Sequence, residues 1–260
     1  DLGSWAYRFA DLLQQHDQRL WQVLPLGPTS YGDSPYQALG AFAGNPLLVS
    51  LDRLDELGWL DEEDLSDAAF PDDVVEYGNV IPYHFDRLYR AFEKFTARAE
   101  ASVKAEFNAW CATNRDWLDD FALFMALKNA HGGRPWVEWE PELVRRDPAA
   151  LAAANGEHAE AIASLKFIQW QFYTQWGALK QYANERGIQM VGDAPIFVAH
   201  DSSDVWANPE LFYLDEKGYP TVIAGVPPDY FSATGQRWGN PLYRWDKMAA
   251  DGYAWWVARL

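Results

Sequence analysis

Gly187–Asp201, GIQMVGDAPIFVAHD, is the stretch whose reading decides the fold. An amphipathic pattern stops at Gly187. Ile188, Met190 and Val191 then form a short apolar run that breaks at Gly192-Asp193. A run of this kind reads as a buried parallel strand, with Asp193 at its C-terminal end. In an α/β barrel that end is the floor of the active site. Leu20–Leu26, LWQVLPL, has the same design and empties into GPTSYGDSPYQ. The two stretches read as neighbouring barrel strands, each delivering a loop to one mouth.

Each strand is preceded by a helical pattern. Leu165, Ile168, Phe172, Trp176 and Leu179 are spaced by 3, 4, 4 and 3 residues, which predicts a helix ending near Gly187 as C′ glycine. Trp5, Phe9 and Leu12 repeat at helical spacing after Ser4, an expected N-cap, and predict a helix over Ser4–Gln15.

Between the strands the character changes. Gly27–Asn45 is a loop dense in Gly, Pro, Ser and Asp. Turn chemistry explains those residues but not its two tyrosines, Tyr31 and Tyr36, for which a ligand role is the competing reading. From Leu47 to Asn155 acidic turns (Asp61–Asp67) alternate with helical stripes: Phe85, Leu88, Phe92 and Phe95, then Trp117, Phe121, Phe124 and Lys128. These are packing faces. Cys111 reads as a small apolar group and His131 as a cation at a helix end. Pro135–Leu143, PWVEWEPEL, leaves packing and binding both open.

Beyond Asp201, Asp215–Gly218 (DEKG) predicts a hairpin turn between FYL and TVI. Val226–Asn240 reads as a long loop carrying Gln236, Arg237 and Trp238. A helix is expected to begin around Trp245 and to be still running at Leu260. The fold class is therefore α/β, a partial (β/α)₈ barrel with a large helical insertion. Residues 1–46 begin the barrel, 47–160 form the insertion, and 161–260 continue the barrel. Only two barrel strands of the eight needed for closure are visible, so the chain reads as an interior piece of a longer protein.

The totals narrow the partners. The chain has 260 residues, 38 acidic against 21 basic, for a formal charge of −17. Phosphate backbones and anionic lipid repel such a chain, so nucleic acid and membrane surfaces are poor partners. No apolar run is long enough to span a bilayer. A single cysteine and the absence of an Asn-x-Ser/Thr sequon suit a cytoplasmic protein. Aromatic residues make up 16% of the chain, 14 of them Trp. Many must be core, but Trp and Tyr in Gly/Pro-rich loops suit sugars, whose C–H faces stack on rings while hydroxyls seek acids and amides.

Motifs for other chemistries are missing. There is no phosphate-cradling GxxxxGK[ST] or GxGxxG, no GxSxG elbow, and the five histidines lack ligand spacing. Carboxylates at strand ends remain: Asp193, with Asp201, Asp204 and Asp229 in neighbouring loops. Glycosidic chemistry needs two carboxylates flanking one bond. Asp193 has no second partner with an equal placement, and a turn or tether role is its competing reading.

Four segments carry a resemblance: Trp21–Gln37 (WQVLPLGPTSYGDSPYQ), Ala41–Pro46 (AFAGNP), Gly192–Phe212 (GDAPIFVAHDSSDVWANPELF) and Val226–Trp245 (VPPDYFSATGQRWGNPLYRW). They resemble the amylomaltases, the 4-α-glucanotransferases also called disproportionating enzymes, and the similarity runs through nearly the whole chain. The resemblance implies a barrel of the α-amylase type. It implies transfer of α-1,4-glucan segments between maltooligosaccharides or starch- or glycogen-type glucans by a retaining double displacement, without metal or organic cofactor. The family's nucleophile motif, Arg-x-Asp-His, is absent here, as are its acid/base Glu and third Asp, all expected beyond Leu260. No catalytic residue is assigned, and the chain alone is expected to be inactive. The resemblance maps substrate contacts onto Tyr36, Asp193, Gln236 and Trp238, with Ser34 beside Tyr36. Taken residue by residue, Trp238 also reads as a hydrophobic latch and Gln236 as a backbone cap. The rival functions are a hydrolase of the same superfamily and a non-catalytic glucan-binding module.

Overall fold

A computed structural model of the chain describes every residue except Ala68 and Asp72, and of Tyr31 only the backbone. The chain divides into two compact units. The first comprises Asp1–Leu26, Gly44–Arg115 and Ala163–Asp193; the second comprises Gly27–Ala43, Asp116–Ile162 and Ala194–Leu260.

In the first unit β1 (Leu20–Gln22) and β2 (Gln189–Val191) pair in parallel, with Leu20 opposite Gln189, Trp21 opposite Met190 and Gln22 opposite Val191. This is the expected neighbour relation between the two stretches. Burial differs from the expectation: Leu20 and Val191 are exposed, because each strand here has one partner and one open edge, while Ile188 is fully buried beside Ala10 and Ala183.

The helix before β2 spans Ala159–Glu185. It ends as the glycine predicts. Gly187 takes φ +74°, its N–H donates to Asn184 O (2.9 Å), and Ile188 N–H donates to Ala183 O (3.0 Å). This pair of bonds is the Schellman closure, which needs a left-handed residue at C′. Within the same unit Tyr182 Oη and Arg186 Nε both donate to Asp11 Oδ1 (2.8 and 2.7 Å). They tie this helix to helix Ser4–Gln15.

Helix Ser4–Gln15 forms over the expected residues, but its cap is Gly3, not Ser4. Position 3 accepts only glycine, since a Cβ there would meet Ser50 Oγ at 2.6 Å, and its N–H donates to Asp1 Oδ1 (3.0 Å). The Trp5, Phe9 and Leu12 stripe faces outward, and the helix buries Ala10.

The core of this unit is aromatic. Trp59, Phe95, Phe167 and Trp170 pack at ring separations of 4.9–6.2 Å, with Leu54, Leu88 and Ile168 fully buried around them. Burying such rings supplies the largest apolar area per residue. Two buried glutamines fasten the chain entering the helices. Gln169 accepts from Gly44 N and donates to Gly44 O (2.7 and 2.9 Å), and Gln175 does the same at Ser50 (2.7 and 3.3 Å). The acidic turn at 61–67 makes a capping box, Asp61 with Asp64, over helix Glu62–Leu65, and Lys94, Arg87, Arg90 and Arg98 of helix Tyr77–Arg98 pair with its Asp61, Asp64 and Asp67.

The second unit is built on helix Arg115–Ala130, whose Phe121, Phe124 and Leu127 are buried. Lys128 is buried too, and its ammonium bonds to Asp201 (2.6 Å) and to Gly133 O (3.0 Å). His131, just past the helix end, bonds Glu140 at 2.7 Å and lies against Trp139. Pro135–Leu143 packs: Trp136 and Trp139 are buried, and Trp136 Nε1 donates to His200 O (2.9 Å). Cys111, in helix Ala101–Thr113 of the first unit, is half-buried.

In the second unit the DEKG turn forms as expected: Gly218 N–H donates to Asp215 O (3.0 Å), Leu214 bridges Pro220, and Thr221 N–H donates to Tyr213 O (2.9 Å), joining FYL to TVI. Two other expectations are corrected. A further extended pair forms, β3 (Ile223–Val226) against β4 (Gln236–Pro241), antiparallel. Gln236 and Trp238 thus stand on a strand, not in a loop. The final helix is two, Trp245–Ala250 and Ala254–Arg259, because Gly252 and Tyr253 take φ +72° and +61° and turn the chain left-handed between them.

Candidate functional site

Four of the five sequence-predicted contact residues lie in the second unit. Gly27–Ala43 is a closed loop. Thr29 bridges Ala38, Leu39 N–H donates to Pro28 O (2.8 Å), and Ser30 Oγ donates to Gln37 O (2.5 Å). Left-handed Gly32 and Asp33, at φ +65° and +52°, turn it at its tip. Ser34 Oγ accepts the Tyr36 N–H at 3.3 Å, so this hydroxyl shapes the turn that presents Tyr36. The Tyr36 ring is 44% exposed. The Tyr31 side chain lies outside the described residues.

On β4 the pairing with β3 shifts register between Arg237 and Pro241, where Gly239 is left-handed (φ +82°), so strict alternation does not carry through to Asn240. Trp238 Nε1 donates to Gln236 Oε1 (3.0 Å), and the Trp238 ring lies 6.4 Å from Phe197. Phe197 in turn stacks on Tyr243 at 6.2 Å and 15°. The position of Gln236 depends on Gly225: a Cβ there would meet Gln236 O at 2.3 Å, so only glycine lets the strands approach.

The loop and the strand are joined by residues that sequence reasoning passed over. Asn240 is buried; its Nδ2 donates to Val198 O (2.8 Å), and its Oδ1 accepts from Gln37 Nε2 (3.4 Å). Asn240 stands two residues after Trp238, across the left-handed Gly239, and Gln37 stands next to Tyr36, so no strand period marks either of them. Ala41 N–H donates to Asp204 Oδ2 (2.7 Å) and Ser203 N–H to Leu39 O (2.9 Å). The Gln37–Asn240 contact thus brings the turn bearing Ser34 and Tyr36 beside the strand bearing Gln236 and Trp238.

The other carboxylates have structural employment. Burial pushes the Asp204 carboxyl above its ordinary value, although the Ala41 N–H opposes this. Asp201 is held by Lys128 and accepts the Trp136 N–H (3.3 Å). Asp229 Oδ1 accepts the N–H groups of Phe231 and Ser232 (2.9 and 2.8 Å), capping a turn whose Tyr230 and Phe231 are almost wholly exposed. Asp193 belongs to the first unit, where it is exposed two residues past β2. Among the described residues no group of three His, Cys, Asp or Glu could hold a metal ion, and no helix is long and apolar enough to cross a membrane.

A family model described as 4-alpha-glucanotransferase, glycoside hydrolase family 77, matches residues 1–260. The 4-alpha-glucanotransferase of Thermus thermophilus is 51% identical over 259 residues, covering 100% of this chain and 51% of that protein. The Synechocystis 4-alpha-glucanotransferase is 48% identical over 261 residues, covering 100% and 52%. The chain spans about half the length of the curated relatives it matches. Among solved structures, amylomaltase from Streptococcus agalactiae in complex with acarbose superposes with a TM-score of 0.94 at 41% identity, over 99% of this chain and 52% of that one. Amylomaltase from Corynebacterium glutamicum, at 19% identity and a TM-score of 0.75, shares the fold.

Proposed function

The chain belongs to the 4-alpha-glucanotransferase family, glycoside hydrolase family 77, and on that premise we propose that it supplies glucan-contacting residues to an enzyme moving α-1,4-glucan segments between chains. Donor and acceptor are maltooligosaccharides or starch- or glycogen-type glucans, in the cytoplasm, by a retaining double displacement. Tyr36, Gln236 and Trp238 contact glucan from the second unit, with Ser34 setting the turn. Asp193 contacts sugar hydroxyls from the first. The reactive carboxylates come from the remainder of a family-length protein, so none is assigned here.

The observation that carries this reading is the meeting of Gln37 and Asn240, 3.4 Å apart, with Asn240 itself fastened to Val198 O at 2.8 Å. It brings the exposed Tyr36 loop beside the strand bearing Gln236 and Trp238. Half-exposed rings fixed this way can stack on sugar C–H faces without losing rotamer freedom on binding. In a double displacement a glycosyl ester waits for either a sugar hydroxyl or water. Trp238 with Phe197 behind it excludes water and so favours transfer.

Two measurements test this. Maltoheptaose titrated into the 260-residue chain should bind, and more weakly to Tyr36→Ala and Trp238→Ala; equal binding to all three refutes the contacts. In a protein of family length acting on maltotriose, Trp238→Ala should raise the hydrolysis-to-transfer ratio. An unchanged ratio removes the water-excluding role.

A further inference from the structure

Trp238 is 44% exposed, and its own strand does not decide where its ring points. The pairing of β4 with β3 shifts register just past Arg237, and Gly239 is left-handed, so the alternation of a regular strand does not aim the side chain. Its bond to Gln236 Oε1 is exposed, and water competes for both partners. Among the described residues its ring contact is Phe197, at a centroid separation of 6.4 Å and an interplanar angle of 56°. That separation lies in the range over which aromatic pairs attract and prefer a defined angle.

Phe197 is itself held from both sides. Tyr243 Oη donates to Ile196 O (2.9 Å), and Asn240 Nδ2 donates to Val198 O (2.8 Å). The carbonyls of the residues before and after Phe197 are thus fixed by side chains from the segment that carries Trp238. The Tyr243 ring also stacks on Phe197, nearly parallel to it at 15°. Tyr243 is 2% exposed and is anchored in turn, since it bridges Phe212, whose ring lies 5.3 Å away. Burial pushes its hydroxyl above the ordinary tyrosine value, so the group stays a donor to Ile196 O. The rings form a column from buried Tyr243 through half-buried Phe197 to exposed Trp238, all within the second unit.

We infer that Phe197 is a positioning residue: pinned by Tyr243 and Asn240, it sets the direction in which Trp238 presents its indole to glucan. The glucan part of this rests on the function proposed above. Phe197 does not touch the sugar. It acts by removing freedom that the Trp238 side chain would otherwise lose on binding. That role needs a flat ring: tyrosine keeps one, while leucine supplies apolar bulk without a face.

The test is nitrogen-15 relaxation of the Trp238 indole N–H in the full chain, its signal assigned by its loss in Trp238→Phe. Parent and Phe197→Tyr should give an order parameter of about 0.85, and Phe197→Leu about 0.6 or less, with the other indole signals in place. Tyr243→Phe keeps both rings and frees only Ile196 O. It should give a value in between, and it decides the matter if Phe197→Leu does not fold. Maltoheptaose affinity should fall about two- to tenfold in Phe197→Leu, the worth of one side chain ordered on binding. In a Trp238→Ala background the same change should add nothing. An unchanged Trp238 order parameter, or an equal fall in Phe197→Tyr, overturns the inference. So does a glucan affinity that Trp238→Ala lowers and Phe197→Leu does not. If the order parameter falls but Trp238→Ala binds glucan like the parent, Phe197 still positions Trp238, and the proposed glucan contact is what fails.

Discussion

Replacing Asn240 by alanine removes the bonded link between the Tyr36 loop and β4. The side chain is 4% exposed, and its short bond is the one to Val198 O at 2.8 Å. The bond from Gln37, at 3.4 Å, is long and adds little. Leaving a buried carbonyl without its donor costs about 1–3 kcal/mol, and the weak second bond adds some tenths. A loss of roughly 2–3 kcal/mol corresponds to a fall in melting temperature of about 4–12 °C for a chain of this size. Asn240→Asp should be no better, since a carboxylate cannot donate to Val198 O and would bring a charge against it. Gln37→Ala should cost under about 1 kcal/mol, and combining it with Asn240→Ala should add almost nothing beyond the Asn240 change. Thermal unfolding gives the stabilities, and maltoheptaose titration of the same proteins gives the affinities. Affinity should fall in Asn240→Ala although no proposed contact residue has been altered. If Asn240→Ala melts within a degree of the parent and binds glucan equally, the Asn240 contacts do not organise the surface.

His84 is buried and held at about pKa 4 by desolvation, against 6.5 ordinarily, with Nε2 3.1 Å from Pro46 O. Because the folded value is depressed, its contribution is complete above pH 6.5 and is lost as pH falls toward 4; it amounts to roughly 3 kcal/mol. His84→Leu should flatten that part of a stability-against-pH curve, and an identical slope would refute the assignment. Asp204 has the opposite sign: its folded value is raised from 3.8, so its burden appears as pH rises above that value. Asp204→Asn, which can still accept the Ala41 N–H, should melt higher than the parent at pH 7, with the advantage shrinking toward pH 4; a gain that ignores pH would count against it. A Cβ on residue 44 would lie 1.9 Å from Phe172 Cδ1. Gly44→Ala should therefore destabilise by about 1–3 kcal/mol or more, and Phe172→Leu should recover part of that loss in urea unfolding; no recovery would mean the clash is not the cause.

What could be read from the sequence was what local chemistry decides. The Gly187 cap and the run after it are written in adjacent residues, so β2, its preceding helix and its pairing with β1 were legible. The helices of 77–98 and 115–130 were legible for the same reason, through 3.6-residue stripes. β4 was hidden because GQRWGNP has the composition of a turn, and its extended form depends on β3 alongside it. The break at Gly252 was signalled by Asp-Gly, whose Asp251 Oδ1 accepts the Ala254 N–H (3.2 Å), but the apolar residues on both sides masked it. At the candidate site, the resemblance supplied Tyr36, Gln236 and Trp238. The residues that join them could not be read, because the Gln37–Asn240 bond spans 203 positions and neither residue type announces its partner.

The parallel pairing of Leu20 with Gln189 has a consequence for synthesis. A ribosome adding about 5–20 residues each second needs on the order of 10–30 s to travel from the first of these strands to the second. Throughout that interval β1 has emerged without the edge it will join, and its exposed Leu20 and Leu24 are open to association with other nascent chains. Slowing translation should lengthen this window and raise the yield of aggregate, while chaperones that shield extended apolar segments should matter most before β2 leaves the tunnel.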